Sequence, residues 1–131
     1  MIDPSHLAEL IAFRHDLHAH PEVRFEEHRT SARVVERLER AGYRPRLGLA
    51  GTGVVATING AAPGPLLMLR AELDALPMQE RTGLPYASRN QGRMHACGHD
   101  GHATMLLGAA EYLARRPPAR GTVHFVFQPA E

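Results

Sequence analysis

Lysine is absent from the 131 residues, and all fifteen basic residues are arginine. No physical requirement makes every surface cation a guanidinium, so the bias reads as genomic base composition and carries no functional weight. An excess of one charge sign is missing too. Fifteen basic against fourteen acidic residues leave a formal net charge of +1, too weak a field to hold nucleic acid or an anionic membrane surface. With a single cysteine, Cys97, no intramolecular disulfide can form. The first thirty residues carry charges and histidines where a signal peptide needs an apolar stretch, so a reducing, cytoplasmic setting is expected. No apolar run approaches the roughly 20 residues that span a bilayer. What is present is 44% hydrophobic residues, enough for one core in a chain of this length without help from disulfides.

The hydrophobic period changes along the chain. From Ser5 to Ala19, the residues Leu7, Leu10, Ile11, Phe13 and Leu17 recur mostly at three- and four-residue spacings, an amphipathic helix that Pro21 stops. A second helix is expected from about Glu26 to Ala41, with Val34, Val35 and Leu38 on one side. Glu26 and Glu27 favour its positive N-terminal end, and Gly42 stops it. Short β-type runs follow at Tyr43 to Leu47, Gly53 to Ile58 and Leu66 to Leu69. Asn59-Gly60 and Pro63-Gly64-Pro65 read as the turn between the last two. A third helix from about Gly101 to Arg115 and a buried strand from Thr122 to Phe127 complete an α/β layer fold, a mixed sheet flanked by helices.

Residues able to do chemistry gather in the segments without periodicity. His95-Ala96-Cys97-Gly98-His99-Asp100-Gly101-His102 holds three of the nine histidines, the cysteine and an aspartate in eight positions. Thiolate and neutral imidazole suit zinc and similar divalent ions, and glycines let alternate side chains converge. Cys97 and His99, two residues apart, form the natural ligand pair in an extended stretch. His95 and His102 either add to the site or flank it. The competing interpretation is a polar turn before a helix, with Cys97 as a small buried hydrophobe. In Leu69-Arg70-Ala71-Glu72-Leu73-Asp74-Ala75-Leu76-Pro77, a strand ends in two carboxylates. Locally these read most simply as solvated groups, although Asp74 is able to orient a metal-bound histidine. Gly51-Thr52-Gly53 lacks the lysine and following helix of a phosphate loop and is treated as a turn. His15 and His18 suit a helix-end or surface role.

Four blocks in order resemble a known family: Arg14 to Glu22, Leu69 to Pro77, Met94 to His102, and Gly121-Thr122-Val123 through Gln128-Pro129-Ala130-Glu131. They are similar to the metal-dependent amidohydrolases, the branch of aminoacylase-like dinuclear metallopeptidases that includes hippurate hydrolases, N-acyl-amino-acid deacetylases and indole-acetyl-amino-acid hydrolases. The resemblance implies a catalytic domain with a twisted mixed sheet and two divalent cations (manganese, zinc, cobalt or nickel) bridged by water or hydroxide. It places metal ligands at Cys97 and His99, the supporting carboxylate at Asp74, and the general acid/base at Glu131. Glu72 stands where the family has aspartate. The implied substrate is a small N-acyl amino acid, and the implied assembly is a homo-oligomer.

Family members are much longer. The resemblance therefore implies that residues 1–131 are the N-terminal portion of the catalytic domain, apparently truncated, without the dimerisation and lid domain, and not expected to turn over amides alone. Two other classes compete: a noncatalytic metal-binding remnant, and an interaction module whose exposed sheet edge pairs with another chain.

Overall fold

Asp3 begins the first helix, α1 (Pro4–Ala19), by accepting a hydrogen bond from the Ser5 amide at 2.7 Å, with proline in the first turn where its missing N–H costs nothing. The structure is a computed structural model and describes residues 3–131. The second helix, α2 (His28–Arg40), receives its cap from outside: the Glu22 carboxylate accepts from the Arg29 amide at 2.9 Å and the Thr30 amide at 2.6 Å. Gly42, at φ 94°, ends it as the sequence leads one to expect. The third helix, α3 (His99–Arg115), starts two residues earlier than its apolar stripe indicates, because Gly98 at φ 82° turns the chain into it. Among the described residues no helix is long and apolar enough to cross a membrane.

Four strands form one mixed sheet: β1 (Arg46–Leu49), β2 (Gly53–Asn59), β3 (Ala62–Glu72) and β4 (Arg120–Gln128), in the order β1-β2-β4-β3. β2 runs antiparallel to β1 and β4, while β3 runs parallel to β4. The sequence reading differs here: the first strand is Arg46–Leu49 rather than Tyr43 to Leu47, and β3 begins four residues before Leu66. Pro63-Gly64-Pro65 lies inside β3, and β2 and β3 are not neighbours, because β4 inserts between them. Parallel partners need a crossover, and α3 with its preceding loop supplies it.

The helices cover one face of this sheet. Val54 and Ala56 of β2 and Val123, Phe125 and Phe127 of β4 are buried with Phe13, Leu17, Val34, Leu38 and Leu107, while the alternate β4 residues Thr122, His124 and Val126 stay half-exposed. Tyr43 meets Phe125 edge to face at 5.9 Å. Gly108 lets α1 approach α3, since a Cβ there would stand 2.9 Å from Leu10 Cδ1. The parallel arrangement brings the carboxyl ends of β3 and β4 to one edge of the molecule, where α3 also begins, the place at which α/β sheets assemble sites.

Candidate metal and catalytic site

Three segments meet at that edge. Pairing of β3 with β4 continues past the strands, the Leu73 amide donating to Gln128 O at 2.9 Å. Leu76 and Met94 exchange backbone hydrogen bonds at 2.9 and 3.0 Å, which brings the loop before α3 against the loop after β3. His99 and His102, three apart on the first turn of α3, then share a helix face.

Glu72, His99 and His102 each offer a ligand atom within 4.8 Å of the others. His99 Nδ1 lies 2.8 Å from the Asp74 carbonyl oxygen and 3.0 Å from Asp74 Oδ1, both acceptors, so Nδ1 is the donor to Asp74 and Nε2 is the nitrogen Asp74 does not engage. His102 Nδ1 lies 2.8 Å from Glu72 Oε2. The Arg70 guanidinium stands 3.0 Å from Glu72 Oε1 and 3.5 Å from Glu131 Oε2, beside both carboxylates. Burial pushes the Glu72 carboxyl up. The His102 ring, its own amide, Glu131 and Arg70 outweigh burial and hold it below the usual carboxylate range. Two imidazoles and an anionic carboxylate, with one imidazole fixed from behind, are a donor set that fits a divalent transition ion.

Each residue singled out from the sequence has a definite place here. His99 and Asp74 come together, both buried. Glu131 joins them through its backbone, its amide donating to Asp74 Oδ2 at 3.2 Å. Cys97 is exposed and is not in the convergent group. Glu72 and Asp74 are not the solvated carboxylates that their local sequence suggests, being 7% and 6% exposed, because His102, Arg70, His99 and the Glu131 amide close over them. His95 lies buried behind the site. Burial pushes its pKa down to about 4, and neither ring nitrogen has a hydrogen-bond partner among the described residues.

His18 does not take the surface role. It is buried, with Nδ1 2.9 Å from Asp100 Oδ2 and Nε2 3.1 Å from Glu80 Oε1. Glu80 carried no signal in the sequence, and the buried Glu27 carried none beyond its place at the start of a helix.

Residues 68–131 match peptidase family M20/M25/M40. The whole chain is 46% identical to an N-acetylcysteine deacetylase of Bacillus subtilis and covers 35% of it. Over 94% of its length the chain is 51% identical to a putative glutamate–cysteine ligase of Rhodococcus jostii, of which it covers 15%, a share too small for that name to describe the matched segment. The chain therefore spans about a third or less of these relatives. Among solved structures, the Bacillus subtilis YXEP protein, described as a dinuclear metal binding peptidase from the M20 family, superposes with a TM-score of 0.94 at 44% identity. The match covers 99% of this chain and 37% of that one.

Proposed function

We propose that this chain, whose residues 68–131 match peptidase family M20/M25/M40, supplies the divalent-ion site and the general base of an amidohydrolase that cleaves N-acyl amino acids. The observation that carries this is the convergence of His99, oriented by buried Asp74, with Glu72 and His102 beside Glu131. Similarity to a deacetylase of an N-acetylated amino acid supports the substrate class.

Cys97 and His99 are the ligands in this reading, with Glu72 and His102, which converge with His99, as further donors. Bound divalent ions supply Lewis acidity for the amide carbonyl and make water nucleophilic near neutral pH. Asp74 fixes the tautomer and direction of the His99 ring. Glu131 takes the proton of the attacking water and returns it to the leaving nitrogen, and Arg70, 3.5 Å from its Oε2, orients the carboxylate. Manganese, zinc, cobalt and nickel are the candidate ions. A cytoplasmic setting, in which the Cys97 thiol stays reduced, and assembly into a homo-oligomer complete the proposal.

The test replaces the corresponding segment of the Bacillus subtilis N-acetylcysteine deacetylase with this chain. The metal-loaded chimera is expected to release acetate, and Glu131→Gln to lower kcat by about a hundredfold or more. With cobalt, a thiolate charge-transfer band checks the place of Cys97. A folded, ion-loaded chimera that releases no acetate, or one unaffected by Glu131→Gln, would overturn the reading.

A further inference from the structure

We infer that Glu27 is a positioning residue for Glu131. Its buried carboxylate holds Ala130 in a left-handed backbone conformation, which sets the direction in which Glu131 leaves β4. The inference builds on the role given to Glu131 above.

Glu27 is fully buried, 0% exposed, at the start of α2. Oε2 accepts from Thr52 Oγ1 at 2.6 Å, and Oε1 accepts from the Ala130 amide at 2.9 Å across 103 residues of chain. Both partners are neutral donors. A carboxylate taken out of water without a cation beside it is costly, and packing alone would be met as well by an uncharged side chain. What the charge adds is a stronger hydrogen bond to a backbone amide, helped by the N-terminal end of α2.

Ala130 makes use of that strength. Its φ is 50°, a conformation that an L side chain adopts only when something outside the residue holds it there. Successive amides in an extended strand point to opposite sides. The left-handed turn ends that alternation and gives each of two consecutive amides its own buried carboxylate: Ala130 N donates to Glu27, and Glu131 N donates to Asp74 Oδ2 at 3.2 Å. Asp74 also holds His99 through Oδ1, so the backbone of the base and the ring of the ligand share one support. Glu27 fixes the other side of that support. The anchor is itself tied down, because Thr52 is buried and its carbonyl accepts from Ser31 Oγ of α2 at 2.7 Å. Without Glu27, Ala130 returns to extended backbone and the Glu131 amide leaves Asp74.

Amide hydrogen exchange on the full chain tests this without substrate, so its failure and the failure of the amidohydrolase reading are separable. Glu27→Gln is expected to speed exchange at Ala130 and Glu131 by about tenfold while leaving Val123 and Phe125 unchanged. Adding Ala130→Gly, which makes positive φ easy, is expected to return the Glu131 amide to within about threefold of its original rate. A buried charge that only supported the core would not be rescued at Ala130. Thr52→Val releases one side of Glu27 without touching β4 and is expected to speed the same two amides by about threefold. Unchanged exchange at Glu131 in Glu27→Gln, or an effect that Ala130→Gly does not reverse, would overturn the inference. So would a Thr52→Val chain with unchanged Ala130 and Glu131 amides, should Glu27→Gln fail to fold.

Discussion

Two groups of carboxylates and imidazoles are tied to the start of α3, and they differ in which atoms are left over. In the inner group, His18 has both ring nitrogens engaged, by Asp100 and Glu80. Glu80 also accepts from the Ser88 amide at 2.7 Å and from Thr82 Oγ1, and Arg14 Nε reaches Asp100 Oδ2 at 3.3 Å. In the outer group, Asp74 holds only Nδ1 of His99, and His102 has a side chain 47% exposed. The residue types are the same. Where protein groups occupy both nitrogens, a histidine joins α1 to α3 and to the loop carrying Glu80. Where one nitrogen stays free at the rim, it is available to an ion. What separates structure from chemistry here is the hydrogen bonding of each atom.

The strongest way to break this contrast is to remove one member from each group. Asp100→Ala leaves the buried His18 and the Arg14 guanidinium without their carboxylate and is expected to cost about 3–5 kcal/mol in urea unfolding. His102→Ala, at the exposed rim, is expected to cost less than about 1 kcal/mol. Similar losses for the two would mean that the inner group does not hold the fold. A single buried titratable group with one protein partner sharpens the point. Burial pushes Tyr43 up to about 12, and its hydroxyl donates to Ala110 O at 2.7 Å. Because the folded value lies above the unfolded one near 10, stability is intact below pH 10 and falls as pH rises toward 12. The expected loss is about 2–3 kcal/mol, and Tyr43→Phe should abolish that alkaline slope. The smallest effect belongs to a largely exposed pair: Arg40→Ala, breaking the contact of Arg40 with Glu36 on the surface of α2, is expected to shift stability by less than about 0.5 kcal/mol and to lose even that in high salt.

The sequence showed the elements whose signal is local. The stripes of α1, α2 and α3, the stop at Gly42 and the buried strand β4 follow from spacing and turn chemistry. β3 extends well beyond its apolar stretch because it is an edge strand whose register with β4 shifts between Ala62 and Leu66, where Pro63 and Pro65 are tolerated, which no local propensity announces. At the site, the Cys97 to His102 segment was legible because its composition is unusual, and the resemblance supplied Asp74 and Glu131. Burial was not legible: Glu72 and Asp74 look like solvated carboxylates until α3 closes over them. Glu27 and Glu80 were beyond reach as well, since their partners lie far away in sequence or inside a loop without periodicity.

The contrast between the two groups is tested most directly by cobalt titration of the full chain, followed by absorption, with one variant from each. Uptake at a site built on His99 should weaken at least about tenfold in His99→Ala and keep its original affinity in Glu80→Gln. Equal affinity in His99→Ala and the unmodified chain, or a loss in Glu80→Gln as large as that in His99→Ala, would contradict the assignment of ion binding to the rim and of structure to the interior.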